Sequence, residues 1–393
     1  MNSLHPFPAR MAPAIVYDFL PEAKPGQRVL DPMAGSGTTV TIARAKGYVA
    51  VGSDTDPLAL IIARANSGNM DAPRLQAAAA EAMQSAVRRV TRLLPINAYP
   101  DEADEETRAF IDFWFDARAR VELVALKRAI EHCDPSVEAF LLCAFSRMII
   151  TKKNGVSLAE DVPHSRPHRT RKHPPIYPLE AFMPAVKSVV RAQNFSEGAA
   201  LPEATVVRAD CRQLPFSDEL FEHIITSPPY LNAIDYMRGH KMSLVWFGHK
   251  IATLRDLRAS NVGTELGSSS SAADAVVDRM ASWKVEKSLP LQRRLRRYVQ
   301  DLNEGVSEMR RVIRRGGQLL MVVGDCTVEG CDVKNSVAVD ILARRAGFEL
   351  VGRSVRQLEP RHRYLPPPRQ GRGGSSPLQK RMWNETILRY KAV

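Results

Sequence analysis

Residues 226–230 read Thr-Ser-Pro-Pro-Tyr and follow directly on an apolar run ending His-Ile-Ile-Thr. Two consecutive prolines remove two backbone N–H donors and stiffen the chain, while their carbonyls stay free as acceptors. Ser227 adds a hydroxyl in front of Pro228 and Pro229, and Tyr230 adds a flat ring behind them. That set suits a planar group bearing an exocyclic NH2: the Ser227 hydroxyl and the Pro228 carbonyl orient the amine, and the Tyr230 ring stacks on the base. A rigid strand-end turn with a packing tyrosine is the other reading of the same residues.

A second pattern, Val-Leu-Asp-Pro-Met-Ala-Gly-Ser-Gly-Thr-Thr at 29–39, puts Gly35 and Gly37 where a strand turns into a helix. Glycine permits the tight turn and lets a ligand approach the backbone, so a side chain at Gly37 is expected to block that approach. Thr38 and Thr39 open the helix with hydroxyls and N–H donors suited to a carboxylate. Val40 stands where the dinucleotide fingerprint has its third glycine, which argues against NAD or FAD. Asp54 ends the next strand, where an acid accepts hydrogen bonds from both ribose hydroxyls. Asp56, before Pro57, reads as a helix N-cap.

In combination these segments resemble the S-adenosylmethionine-dependent amino-methyltransferases of DNA, which modify cytosine N4 or adenine N6. DPMAGSGTT is similar to their cofactor loop, which implicates Asp31, Ala34, Gly35, Gly37, Thr38 and Thr39. HPFPARM at 5–11 resembles the segment beside the methionine end of the cofactor, with Phe7 and Pro8 in it. RADCRQLPF at 208–216 is similar to the third cofactor strand, which places Asp210 near the adenine amine and Cys211 next to it. TSPPY is similar to the catalytic motif, and in this family a serine opening it goes with cytosine N4, an aspartate with adenine N6. The resemblance implies direct in-line attack by the amine of a flipped-out base on the sulfonium methyl, with no covalent enzyme adduct. A cytosine C5 enzyme would need a cysteine nucleophile, usually after a proline, and none of the five cysteines follows one. Adenine N6 of DNA and a tRNA or rRNA base remain alternative targets. Outside enzymes, the alternative is a catalytically silent nucleic-acid-binding homologue, against which the intact glycine loop and SPPY argue.

The elements that must position these residues alternate. Strand patterns fall at 28–31, 48–54, 205–210, 222–226, 318–323, 348–357 and 385–390, and helical ones at 38–46, 235–249, 289–314 and 337–346. This is a doubly wound α/β sheet. The resemblance makes it a Rossmann-like class I methyltransferase sheet with helices on both faces, formed by residues 1–66 and 204–393. Residues 67–203 read as a mostly helical insert ending in a basic loop, a candidate region for target recognition. In compact members of the family no such insert precedes the third cofactor strand. Within it, Phe110, Phe113, Trp114, Val121, Val124 and Leu126 recur at helical spacing, which is the mark of a helix-packing core.

Lys plus Arg is 55 against 43 for Asp plus Glu, a net charge of +12, which points to a polyanionic partner and first to nucleic acid. Two basic, proline-rich loops are the candidate phosphate contacts: Arg166, Arg169, Arg171 and Lys172 in one, Arg361, Arg363, Arg369 and Arg372 in the other. Arg293, Arg294, Arg296 and Arg297 lie on a helix and read as solvated surface. The cysteines form no CxxC pair, so neither a disulfide framework nor a metal centre is expected, and a reducing cytoplasm is. No signal peptide and no membrane-length apolar run are read. The expected partners are double-stranded DNA and, by the resemblance, a cognate restriction endonuclease.

Overall fold

The computed structural model describes residues 4–7, 10–164, 167–192, 201–231, 235–263, 273–282, 289–328, 331–358 and 384–393. Strands are β1 (Arg28–Asp31), β2 (Val49–Asp54), β3 (Ala159–Glu160), β4 (His168–Arg169), β5 (Ala204–Arg208), β6 (Phe221–Thr226), β7 (Ala281–Ser282), β8 (Ile313–Gly324), β9 (Cys326–Val328), β10 (Cys331–Val333), β11 (Phe348–Gln357) and β12 (Asn384–Ala392). Helices are α1 (Pro13–Phe19), α2 (Thr38–Ala45), α3 (Pro57–Ser67), α4 (Ala72–Val90), α5 (Glu105–Trp114), α6 (Ala117–Ile130), α7 (Pro135–Ile149), α8 (Pro178–Ala192), α9 (Tyr236–Leu244), α10 (Ile251–Ser260), α11 (Asp274–Met280), α12 (Leu289–Val312) and α13 (Asn335–Arg345).

Seven strands form one sheet in the order β11-β12-β8-β6-β1-β2-β5. β5, β2, β1, β6 and β8 run parallel, and β12 lies antiparallel between β8 and β11. The alternation of side chains along a strand divides the core in two. Leu30, Ile224, Leu319, Met321 and Val323 pack with α11, α12 and α13 on one face. Val29, Ala50, Ile225, Leu320 and Val322 pack with α1 and α2 on the other. Strands buried on both faces read as continuous apolar runs, which is why 29–30, 224–225 and 319–323 were legible. The Rossmann-like class expected from the resemblance is therefore the fold observed.

From β1 the chain winds outward through β2 to β5, then returns to lay β6 on the other flank of β1. That reversal opens a crevice at the carboxyl ends of β1 and β6, the usual ligand site of an open α/β sheet. Leu30 pairs with Ile224 in register, so Asp31 ends β1 level with Ile225 and Thr226 ends β6 one residue further on.

The insert is helical because its helices are capped and amphipathic. Asp71, Asp104, Asp116 and Asp134 each accept a backbone N–H in the first turn of α4, α5, α6 and α7, at 2.8–3.0 Å. Each such cap contributes about 1 kcal/mol. The buried faces of α4, α6, α7 and α8 share one core with Leu58 and Ile62 of α3 and with Met237 and Met242 of α9. The insert is thus built onto α3 and α9.

Several boundaries differ from the sequence reading. The stripe from Phe110 to Leu126 is two helices, broken at extended Phe115 and Asp116, the first ending α5 and the second capping α6. The single helix read at 235–249 is α9, a short 3-10 turn and then a break at Gly248, whose φ of +85° ends the run before α10. A small sheet, β7-β10-β9, gave no pattern long enough to read. Pro8, Arg166, Arg361, Arg363, Arg369 and Arg372 lie outside the described residues. Among the described residues no helix is long and apolar enough to cross a membrane.

Candidate active site

The glycine turn is held from three sides. Gly37 donates to the Ala34 carbonyl at 2.8 Å, and Ala34 donates to Ser53 of β2 at 2.9 Å. The Asn66 side chain of α3 donates to the Ser36 carbonyl at 2.6 Å. Asp54 accepts from the Gly35 amide at 2.8 Å and from the Asp56 amide at 3.0 Å, which fixes the carboxylate at the rim of the turn. Each oxygen retains a lone pair for a further donor such as a ribose hydroxyl.

Only one of the two glycines leaves room on the ligand side. At Gly35 a Cβ would lie 3.3 Å from the Phe7 ring, across the mouth of the turn. At Gly37, whose φ is +79°, a Cβ would lie 2.9 Å from Cα and Cβ of Ala63 in α3. Gly37 therefore serves close packing of the turn on α3, which corrects the expectation that it keeps a ligand's path to the backbone clear. Close packing of helix and sheet is the third glycine's task in the dinucleotide fingerprint, and Val40 stands there. The space comes from Gly52 of β2, where a Cβ would lie 2.7 Å from Val40. Thr38 and Thr39 open α2 as expected, with Thr39 buried.

Asp31 is buried, and burial pushes its carboxyl up to about 6, against the opposing pull of the Thr39 and Thr226 hydroxyls and the Met33 amide. Asp54 is likewise pushed up to about 6, by burial and then by the charge of Asp56. Among the described residues no Lys or Arg side chain pairs with either. The carboxyl of Asp31 ionises near its ordinary 3.8 in the unfolded chain and at about 6 in the folded one, so the folded state holds the proton longer. Its contribution to stability is full below about pH 4 and is lost as pH rises through 6. Asp31→Asn is expected to flatten that slope and to exceed the wild type by roughly 2–3 kcal/mol at pH 7 without ligand. Urea denaturation of both proteins from pH 4 to 7 measures it, and parallel slopes would refute it.

The N-terminal segment is pinned over this rim. His5 Nε2 meets Ser146 Oγ at 3.0 Å, Ser146 donates to Ser243 at 2.9 Å, and Arg147 donates to the Leu4 carbonyl at 3.1 Å. Phe7 then stacks on Tyr236 of α9, with centroids 5.5 Å apart and planes 14° apart. Asp56 caps α3 through Leu58 N at 2.9 Å, as read, and its other oxygen pairs with buried His240 of α9. Burial works against the Asp56 anion, but His240 and the Leu58 and Ala59 amides outweigh it and hold its pKa below the ordinary value. Tyr236 and His240 escaped the sequence reading; they sit one turn apart, after the Ser-Pro-Pro-Tyr segment, and only their four-residue spacing hinted at a shared face.

Asp210, in the turn after β5, is not a free acceptor. Arg212 donates to both its oxygens, at 3.0 Å and 2.6 Å, and holds its pKa below the ordinary value although burial opposes this. The same guanidinium reaches buried Asp301 of α12 at 2.8 Å and the Ser260 carbonyl at 2.6 Å. Cys211 is buried, its thiol pushed up to about 12 by burial. A Cβ on Gly305 of α12 would lie 3.5 Å from its sulfur, so the side chain serves packing against that helix.

The Ser-Pro-Pro-Tyr turn leaves the end of β6. The Ser227 hydroxyl donates to the Val322 carbonyl of β8 at 3.0 Å and lies 3.3 Å from the Tyr230 hydroxyl. With its proton committed to Val322, the oxygen has lone-pair capacity left to accept from an amine. Pro228 is buried, whereas Pro229 and the Tyr230 ring are partly so, the ring against the α11–α13 core.

Of the basic residues, Arg171 is engaged within the insert, pairing with Glu160 at 2.5 Å and donating to the Lys153 carbonyl. That removes it from the free phosphate contacts expected. Lys172 is exposed, and Arg169 is exposed with its guanidinium over the Phe113 ring. On α12, Arg296 pairs with Asp274 and Arg297 with Asp301.

No model of a known protein family matches the chain. It is 24% identical over 379 residues to the Type II methyltransferase M.MvaI of Kocuria varians, covering 87% of this chain and 80% of that protein. A SAM-dependent methyltransferase structure from Methanosarcina mazei aligns over 96% of this chain and 97% of that one, with 8% identity and a TM-score of 0.34. A DNA modification methylase structure from Thermus thermophilus, described as putative and complexed with S-adenosyl-L-methionine, aligns over 47% and 53% with 15% identity and a TM-score of 0.25.

Proposed function

We propose that this chain is an S-adenosylmethionine-dependent DNA methyltransferase that methylates the exocyclic N4 amine of cytosine. The observation that carries the reading is the Ser227 hydroxyl, committed as donor to Val322 and so left as acceptor, at the strand end adjoining the glycine turn. The likeness to a Type II methyltransferase supports the class.

The residues present suit the cofactor. Asp31 and Asp54 are carboxylates whose ionised forms burial disfavours, and a cationic ligand relieves that cost. Gly35 leaves the turn open toward Phe7, and Asp54 accepts ribose hydroxyls on its remaining lone pairs. When bound, the cofactor supplies a methyl group on a sulfonium, whose departure leaves a neutral thioether. Asp210 keeps part of its acceptor capacity for an adenine amine beside Arg212.

The chain's own work is positioning. The N4 lone pair of cytosine is conjugated with the ring and weakly nucleophilic. Hydrogen bonds from its N–H groups to Ser227 Oγ and the Pro228 carbonyl favour an sp3-like nitrogen, and fixed acceptors do this without reorganising. The two prolines hold those acceptors still, and Tyr230 stacks on a base turned out of the duplex. A cognate restriction endonuclease is the partner this reading extends to.

The test is mass spectrometry of nucleosides from DNA and RNA incubated with the protein and labelled cofactor. N4-methylcytosine in DNA is the expected product. N6-methyladenine would keep the enzyme class and overturn the argument from serine. Methylated RNA with untouched DNA would move the substrate, and an unmodified mixture with no cofactor bound would favour a silent binder.

A further inference from the structure

We propose that the insert carries a second nucleic-acid contact, a cation-covered aromatic face on α5 that holds an unstacked nucleotide of the substrate strand. The proposal rests on the reading of DNA as substrate and adds where the strand is held.

Phe110 and Phe113 lie one turn apart on α5, and Phe113 is 49% exposed, unusual for a phenylalanine. Each ring carries a cation. The Arg169 guanidinium sits 5.1 Å from the Phe113 centroid, and Lys241 Nζ sits 5.2 Å from that of Phe110. The face is rigid. Phe113 stands edge-on to Trp114, with centroids 4.8 Å apart. The Trp114 carbonyl accepts from Leu158 at 2.8 Å, and Leu158 in turn accepts from Thr170, beside Arg169, at 3.1 Å. The β3–β4 hairpin that bears Arg169 is thereby tied to the end of α5.

Charge then selects the occupant. Around half-buried Lys241 stand Arg238, Arg255 and Arg258, with Asp235 as the facing acid on its own side. Arg238 and Arg258 share Asp235, each at 2.9 Å, and Arg255 pairs with Glu106. Cations outnumber acids here, and burial together with the three arginines lowers the Lys241 pKa against the pull of Asp235. Such repulsion is relieved by a polyanion. An apolar protein surface would have to bury this excess of positive charge, three of the cations sharing only two acids, at high cost. A flat face and phosphates together describe an unstacked nucleotide, which aromatic rings and arginine hold by stacking while cations hold its backbone. The face is linked to the candidate site through α9, whose Tyr236 and His240 meet Phe7 while its Lys241 covers Phe110.

The test is fluorescence anisotropy of the full chain with labelled single-stranded DNA over a salt series. Phe113→Ala and Phe113→Leu should both weaken binding about tenfold at each salt, leaving the salt slope unchanged. Arg169→Gln with Lys241→Gln should reduce the slope by about 1.4, roughly 0.7 for each phosphate contact on a single strand. Cofactor affinity and melting temperature should stay at wild-type values in all of them. Unchanged DNA affinity in the Phe113 and double variants would overturn the proposal, as would full binding by Phe113→Leu, which would make the ring mere packing. A wild type that binds labelled RNA but not DNA, and loses it in these variants, would support the face and overturn the DNA reading instead.

Discussion

Ser227→Ala is expected to slow methyl transfer by about a hundredfold or more while leaving cofactor affinity unchanged. The hydroxyl is the acceptor proposed for the target amine, and its loss leaves an N–H of the buried base unpaired as the nitrogen rehybridises. The glycine turn, Asp54 and Phe7 make their contacts without it. The variant also loses the hydrogen bond to Val322, worth about 1 kcal/mol, so the melting temperature should fall by only a few degrees. Ser227→Thr, which keeps a hydroxyl, should restore part of the rate. Single-turnover kinetics with bound cofactor, beside calorimetry of cofactor binding, separate the cases. A rate loss that merely follows the unfolded fraction would make Ser227 a strap between β6 and β8 and nothing more.

Gly37→Val is expected to destabilise the protein by roughly 3–5 kcal/mol, enough to leave little of it folded at ambient temperature. A β-branched residue is strained at a φ of +79°, and its Cβ would lie 2.9 Å from Cα and Cβ of Ala63. The obstacle includes helix backbone, which cannot step aside as a flexible side chain can. Gly35→Ala is the contrasting variant. Gly35 too has a positive φ, +50°, which costs alanine about 1 kcal/mol, but its Cβ would meet only the Phe7 ring, at 3.3 Å, so the variant should fold with a smaller penalty and lose cofactor affinity in the folded state. Urea denaturation and calorimetry on both read the difference. A Gly37→Val protein of wild-type stability that fails only to bind cofactor would return this glycine to the ligand path.

The strands, the glycine turn, the Asp56 cap and the proline turn were legible because each is decided within a few residues. Strand burial shows as an unbroken apolar run, a cap as an acid before a proline, a turn as glycine or proline at fixed offsets. That each motif closes a strand was legible too; that the two strands are neighbours, with Leu30 in register with Ile224, was decided by the fold. Side-chain roles were another matter. Gly37 faces Ala63, Gly52 makes room for Val40, Arg212 occupies Asp210, His240 meets Asp56, and Arg169 covers Phe113. Apart from Arg212 and Asp210, these partners lie far apart in the chain, and nothing in the local sequence of either encodes the other. Gly37 meets Ala63 and Gly52 meets Val40 because α2 and α3 fold back on the β1–β2 pair, His240 meets Asp56 because the insert shares its core with α3 and α9, and Arg169 meets Phe113 because the β3–β4 hairpin is tied to the end of α5. What a residue's type can do is set by its own chemistry; which partner uses up that capacity is set by strand order and helix packing, which only the assembled chain decides.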